Sequence, residues 1–328
     1  MIDAALLVAR AFIRAAIVTI CCFFLTMTLF EVVPGDAARA FAGAQASAMD
    51  LTRLRTSRAD GSSNRASCID VAARYFHGAR SAGPHETCAA FGPVHLDLGT
   101  SYVYRRPVRT LLAERVGASL ALAASVAVAC ATLGVFLGFV SRELGAAVSL
   151  VSTFRAVSAV PAYAIGVLLH EVFARRLGWL PHETHFETFG QSVRSMVLPL
   201  ATLTLAMVGP YVAVAHERWQ ELARAAFVRA AEARGARPSH ALWRHGNRQV
   251  FGALAAMSFL DAALLVGGAV LTERLFRWPG VGSLAVEALL GRDLDLLAGV
   301  VVLAATVVAV VTAVGEALRP LFDPRTRY

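Results

Sequence analysis

The chain contains no lysine, because all 31 of its basic residues are arginine. A phosphate-binding loop of the GxxxxGK[ST] type needs a lysine beside its backbone amides, so no such loop can form here. If ATP drives this protein, another chain must hydrolyse it. Charge of either sign is scarce as well, at 16% of the residues, where soluble globular chains carry about 25%. The composition therefore excludes an ordinary soluble protein.

Long apolar runs take the place of the missing charge. Hydrophobic residues make up 57% of the chain, and the mean hydropathy is +0.58. Residues 116–140 and 296–315 carry no charge, and each run can cross a hydrocarbon layer of about 30 Å at about 1.5 Å per residue. Four less pure runs complete the prediction of six membrane helices in an all-α, polytopic fold: residues 11–30, 146–173, 195–215 and 250–271.

The distribution of arginine predicts the orientation of these helices. The first apolar run is too long for the core of a signal peptide, so we interpret it as a membrane anchor. With the N terminus inside, the segment 216–249 is also inside, and it carries seven arginines against three glutamates. The positive-inside rule then predicts that both termini are cytoplasmic. The outer segment 35–110 is arginine-rich too, but a loop of that length is translocated largely regardless of its charge.

Two of the five cysteines, Cys68 and Cys88, fall in this outer segment. An extracytoplasmic compartment permits disulfides, and a bridge here would close a loop of about 20 residues and stabilise it by about 3 kcal/mol. The alternative is a pair of free thiols in a loop. The sequence leaves both interpretations open.

A charged stretch, RAAEARGARPSHALWRH, runs from Arg229 to His245 between two apolar runs. Seven arginines across residues 216–249 would cost roughly 20 kcal/mol inside a bilayer, so this segment must lie in water or against protein. Its pattern predicts a helix, a break at Gly235 and a second helix that begins near Pro238. It is either a solvated hairpin or a docking element whose arginines pair with a partner.

Several short motifs along the chain resemble, in their order and spacing, the motifs of one protein family. The stretch FVRAAEARG, from Phe227 to Gly235, follows an R-x-A-x-A-x-G pattern, and DLGTSYVYRRPV precedes the second predicted span. Further matches are LGWLP, TERLFRWPGVG, the pair Arg292-Asp293 and the terminal DPRTRY. Together they resemble the B-type permease subunits of bacterial dipeptide and oligopeptide ABC importers, over nearly the whole chain.

The resemblance implies a type I importer permease fold in the bacterial inner membrane. Its parts would be a first helix (1–34), an extracytoplasmic segment (35–110), a five-helix permease core (111–319) and a cytoplasmic tail (320–328). The segment 216–249 would be the loop that couples the core to an ATPase. The residues implied in this coupling are Arg229, Ala230, Ala231, Glu232, Gly235, Arg244 and His245.

The resemblance also implies partners and structural residues. The partners would be a homologous second permease, two cytoplasmic ATPases that bind ATP and Mg²⁺, an extracytoplasmic substrate-binding protein and membrane lipid, with no nucleic acid. We expect no cofactor in this chain itself. Family motifs assign structural roles to ten residues: Glu273, Phe276, Pro279, Gly280, Gly282, Arg292, Asp293, Asp323, Pro324 and Arg325.

Asp261 lies in the middle of a predicted span. An ionisable residue there faces a bundle interior or an aqueous path, so we interpret it as part of a translocation pathway, with a structural carboxylate as the alternative. The stretch HETH at residues 182–185 lacks the spacing that places two histidines one helical turn apart, so we predict no metal site there.

These observations favour an ATP-driven importer of di- or oligopeptides that works by alternating access and is not itself an enzyme. Relatives of this type that carry nickel chelates, haem or other solutes are an alternative for the cargo. A secondary transporter coupled to an ion gradient would need intramembrane carboxylates, for which Asp261 is the one good candidate. A membrane-embedded hydrolase would need a nucleophile and a base, and the sequence shows no such cluster.

Overall fold

A computed structural model describes the ranges 76–78, 88–91, 94–101, 103–145, 147–181, 189–291 and 293–322, together with six separate helical positions between Ile13 and Leu25. Most of the predicted first span and the HETH stretch therefore lie outside the described residues. The same holds for five residues with predicted roles: Cys68, Arg292, Asp323, Pro324 and Arg325.

Nine α-helices follow one another through the described part of the chain. They are α1 (Val108–Glu143), α2 (Ala147–Ser158), α3 (Ala162–Leu169), α4 (Phe189–Ala223), α5 (Ala226–Glu232), α6 (Pro238–Gly268), α7 (Val270–Leu275), α8 (Val281–Leu290) and α9 (Leu294–Phe322). Within α1, α4, α6 and α9 lie four helical stretches long and apolar enough to cross a membrane. The membrane part is helical, as predicted.

The predicted third span is broken. The chain bends by 94° between the stretches Leu150–Ser158 and Ala162–Arg176, the second of which ends in a π-helical turn, His170–Arg176. Pro161 causes the break because it has no N–H to donate and because its ring disfavours helical backbone at the preceding residue. Arg155 is exposed on α2, 3.9 Å from the Glu217 carboxylate, so its charge is not in the bundle interior.

The segment 216–249 contains less loop than we expected. Helix α4 continues to Ala223, and α6 begins at Pro238, which suits the first helical turn. Between them lie the short helix α5 and two turns. The end of the bundle that carries these residues is called the hairpin end below.

A small antiparallel sheet lies in the outer segment, and an all-α prediction does not include it. Its strands are β1 (Phe76–Gly78), β2 (Cys88–Phe91) and β3 (Val94–Asp97), in the order β1-β3-β2. Cys88 pairs with Asp97, and Phe76 pairs with Leu96. Strands of three or four residues are too short to show the alternation that indicates a strand in a sequence.

The main core forms where α1 packs against α4. Two glycines on α1 permit this close approach: a Cβ built on Gly134 would lie 2.8 Å from the Cβ of Tyr211, and one on Gly138 would lie 2.6 Å from the Cβ of Ala215. A second core at the opposite end joins the start of α1 to α8 and α9 through buried Val108, Leu284 and Leu296. Helix α1 therefore belongs to both cores.

We predict that Gly138→Ala destabilises the protein by about 1–3 kcal/mol, because the new methyl group overpacks the contact between α1 and α4. Gly117→Ala on the same helix is the matched control, since no atom lies within 4 Å of its added Cβ. The measurement is the unfolding temperature of both purified variants in detergent. Equal unfolding temperatures for the two variants would contradict this description of the packing.

Candidate coupling surface and polar anchors

The short helix α5 presents two different faces. Val228 and Ala231 are buried, and Val228 belongs to the same core as Trp219 on α4 and Leu242 on α6. The Phe227 ring meets the His245 ring of α6 edge to face, with 6.2 Å between the ring centres. This apolar face holds α5 against α6.

Gly235 ends α5 with a backbone that few other residues adopt. Its φ is +80°, and its N–H donates to the Glu232 carbonyl at 2.8 Å while the Ala236 N–H donates to the Ala231 carbonyl at 3.0 Å. These two bonds form a Schellman motif, which satisfies carbonyls at the end of the helix. The turn into α6 is therefore fixed, and Gly235 itself is exposed.

The opposite face of α5 and the start of α6 form an exposed surface. Of the residues predicted to couple the chain to an ATPase, six are exposed on it: Arg229, Ala230, Glu232, Gly235, Arg244 and His245. The seventh, Ala231, is buried against the core. Ala231 lies on the inner face of α5.

Four guanidinium groups on this surface have no side-chain partner within the described residues: Arg229, Arg234, Arg237 and Arg244. By contrast, Arg218 on the last turns of α4 pairs with Glu221 at 3.0 Å. A guanidinium offers five donors in a fixed fork that matches a carboxylate. This surface, called the arginine surface below, is therefore chemically suited to acidic groups.

Asp261 does not stand alone in its span. One of its carboxylate oxygens accepts a hydrogen bond of 2.7 Å from the hydroxyl of Tyr211, whose side chain is buried in the core. Asp261 itself is partly exposed on α6. The sequence alone does not pair Tyr211 with Asp261, because the two residues belong to different spans.

An apolar cavity of about 350 Å³ lies beside this pair without including it. Helices α1 and α6 supply nearly all of its lining, largely with alanines, and Ser258 is its one hydroxyl among the lining residues. Such a cavity offers nothing to hold a charged or zwitterionic group. The described residues also contain no set of three histidine, cysteine or acidic side chains that could hold a metal ion.

Glu273 anchors the opposite end of the bundle. Its carboxylate is buried and accepts hydrogen bonds from the Ser119 hydroxyl at 2.7 Å and from the Ser283 N–H at 2.8 Å. The Ser119 oxygen in turn accepts the Val281 N–H at 2.8 Å. A negative charge at the start of α8 is favourable because helix N-terminal amides lack partners there. No residue other than glycine fits at position 280, because the Cβ of any other residue would overlap this carboxylate.

Asp293 makes a second anchor at the same end. One oxygen accepts from the Ser101 hydroxyl at 2.6 Å and from the Val103 N–H at 3.2 Å, and the other accepts from the Leu296 N–H at 3.1 Å. Asp293 therefore caps α9 and holds the segment that leads into α1. Nearby, the Tyr104 hydroxyl donates to Glu287. The pKa of Tyr104 is raised to about 12, mainly because the phenol is partly buried and secondly because of this hydrogen bond.

The remaining motif residues pack around these anchors. Phe276 is buried with Ala174 and Leu198, and Pro279 is half-buried. A Cβ on Gly282 would lie 2.9 Å from an oxygen of Glu273. The structure thus gives the described members of the motif set structural positions and brings none of them to the arginine surface.

The four apolar helical stretches define a polytopic membrane protein, and an exposed, arginine-rich surface lies at one end of its bundle. Residues 111–328 match the family described as "Binding-protein-dependent transport system inner membrane component". The match spans well over half of the chain, so the chain belongs to this family. It is a multi-pass permease of the ABC importer class in the inner membrane, which confirms the resemblance found in its motifs.

Individual relatives agree with this family. The chain is 27% identical over 240 residues to a Brucella abortus (strain 2308) protein named as a peptide transport system permease, covering 71% of this chain and 76% of the relative. It is 28% identical over 310 residues to the glutathione transport system permease protein GsiC of Escherichia coli O6:H1, covering 93% of each. The names of these relatives describe permease subunits, not enzymes.

We predict that Glu273→Ala destabilises the protein by about 1–3 kcal/mol or more, because it leaves Ser119 and the start of α8 with buried, unsatisfied groups. Glu171→Ala is the matched control, since Glu171 pairs with Arg175 and Arg176 on the surface, where an ion pair contributes little. Thermal unfolding of the purified variants compares them. A Glu273→Ala variant as stable as Glu171→Ala would show that the anchor is dispensable.

Proposed function

We propose that this chain is a permease subunit of an ATP-driven importer that moves di- or oligopeptides across the membrane by alternating access. The arginine surface carries this proposal, because four guanidiniums without a side-chain partner among the described residues lie around a short helix whose C-terminal end is fixed by the Gly235 turn. Such a surface suits an acidic groove on a partner. We place this surface and both chain termini in the cytoplasm, and we propose six spans in all.

The proposed assembly contains this chain, a homologous permease, two ATPases and an extracytoplasmic substrate-binding protein. ATP and Mg²⁺ belong to the ATPases, since a chain without lysine cannot build their phosphate-binding loop. Closure of the ATPases would displace α5, and the spans would then open an internal path to the other side. The chain itself performs no chemistry in this scheme.

The names of the relatives support peptides as the cargo. One is named for peptide transport and another for glutathione, which is itself a small peptide. Importers of the same class for nickel chelates, haem or other solutes are the second candidate for the cargo. Uptake measured with labelled di- and tripeptides in vesicles that contain the whole assembly separates these candidates.

Asp261 is proposed to line the path of the cargo. A carboxylate at that depth must be neutralised, paired or hydrated, and the Tyr211 hydroxyl satisfies one oxygen without supplying a positive charge. A partly exposed carboxylate on a span would let a zwitterionic peptide pass a polar wall. The apolar cavity next to it does not serve this purpose.

We predict that Gly235→Asp abolishes most peptide uptake while the variant still inserts and accumulates normally. A side chain at positive φ costs about 1 kcal/mol or more and would misalign α5 with α6. Gly178→Asp is the matched control, because Gly178 also has positive φ, +62°, and open space around it, but lies at the opposite end. Wild-type uptake and wild-type ATPase stimulation in Gly235→Asp would refute the coupling role.

We predict that Asp261→Leu reduces uptake while the assembly with the ATPases stays intact, and that Asp261→Asn has a milder effect because it keeps a polar group. Uptake in vesicles, with ATP and a proton gradient supplied separately, gives the measurement. Normal uptake in both variants would make Asp261 a structural carboxylate only. Uptake that depends on the proton gradient and not on ATP would support a secondary transporter instead.

A further inference from the structure

Helix α5 packs against the longer helices through one short apolar face. Its buried side chains, Val228 and Ala231, face the core beside α6, and Phe227 meets His245 of α6. A displacement of α5 therefore reaches the beginning of α6 and, through the core that Val228 shares with Trp219, the end of α4. The contacts made by the beginning of α6 then determine which other helices follow the displacement.

Three aromatic rings from three different helices meet at this point. Trp243 of α6 stacks on Trp219 of α4, with ring centres 5.7 Å apart and planes inclined by 16°. Phe139 of α1 meets both rings edge to face, at 5.1 Å from Trp219 and 4.9 Å from Trp243. These residues, called the ring cluster below, join the hairpin ends of α1, α4 and α6.

Trp219 is the fixed centre of the ring cluster. Its side chain is fully buried, and its indole N–H donates to the Val135 carbonyl of α1 at 3.1 Å. On the other side, a Cβ on Gly246 of α6 would lie 2.9 Å from the Trp219 ring. The indole is therefore held between α1 and α6 with no space on either side.

A second polar link ties α1 to α4 at the same level. Ser141 donates to the Gly138 carbonyl at 2.8 Å, so its oxygen accepts from Nδ1 of buried His216, also at 2.8 Å. Nε2 of His216 then accepts from the Gln220 amide at 2.8 Å. Rings and hydrogen bonds together leave α1 and α4 little freedom to slide at this end.

We propose that Phe139, Trp219 and Trp243 are positioning residues that make the hairpin ends of α1, α4 and α6 move with α5 as one body. The inference rests on the proposed function, because it concerns how a displacement of α5 reaches the spans. Packed interiors switch between discrete arrangements instead of deforming gradually, so a rigid joint passes a small displacement on. Without the joint, α5 would move and the spans would not follow.

The test uses the complete assembly in vesicles and measures labelled di- and tripeptide uptake and ATP hydrolysis in the same sample. Trp219→Leu removes the stacking ring and the indole N–H. Its ratio of peptide imported to ATP hydrolysed is expected to fall about fivefold or more, at the lower end of ordinary coupling between sites. Trp219→Phe keeps an aromatic ring and is expected to restore most of the ratio.

Two further variants complete the design. Trp179→Leu changes an exposed tryptophan at the opposite end and is expected to leave the ratio unchanged. Trp243→Leu repeats the test at a position that is 37% exposed, where truncation threatens folding less than at buried Trp219. If Trp219→Leu fails to assemble, the ratio measured for Trp243→Leu tests the role of the ring cluster.

The outcomes separate the two proposals. A wild-type assembly without ATP-dependent uptake would overturn the proposed function, and the ring cluster's role with it. If the wild type is coupled but the leucine variants keep its ratio of peptide imported to ATP hydrolysed, the proposed role of the ring cluster alone is overturned. The same holds if uptake and hydrolysis fall in proportion. A fall in the ratio that phenylalanine rescues supports the joint.

Discussion

The close contact between α1 and α4 is the constraint on which the rest of the structure depends. Gly134 and Gly138 let the two helices approach, and this approach sets which residues face one another along both spans. It brings the Trp219 indole to the Val135 carbonyl and the Ser141 hydroxyl to His216. Small residues at a helix interface are the usual means of association in membranes, where apolar surface alone gives little driving force.

Helix α1 also serves the other end of the bundle, where polar anchors replace glycine contacts. Ser119 joins Glu273, and the segment before α1 joins Asp293, so three stretches far apart in the chain are held by two buried carboxylates. A buried carboxylate is expensive unless donors surround it, and here backbone amides at the starts of α8 and α9 supply them. The two ends of α1 are thus fixed by different chemistry.

The sequence was sufficient for features that depend on local composition and insufficient for those that depend on distant partners. Uncharged runs predicted the spans within α1 and α9, and Gly235 together with Pro238 predicted a helix, a break and a second helix. The sharp bend at Pro161, the small sheet and the inward side of Ala231 came only from the structure. The Tyr211–Asp261 pair and the ring cluster were not foreseen, because each joins residues from different spans and a single sequence gives no register between spans.

The arginine surface gains a property from the complete absence of lysine. Its four guanidiniums without a side-chain partner among the described residues are planar forks of five donors each, so the surface can recognise an acidic group by geometry as well as by charge. The reactions that neutralise a lysine ammonium, such as acetylation, have no target in this chain. The strength of any contact made there will follow the ionic strength of the surrounding water and the charge of the partner.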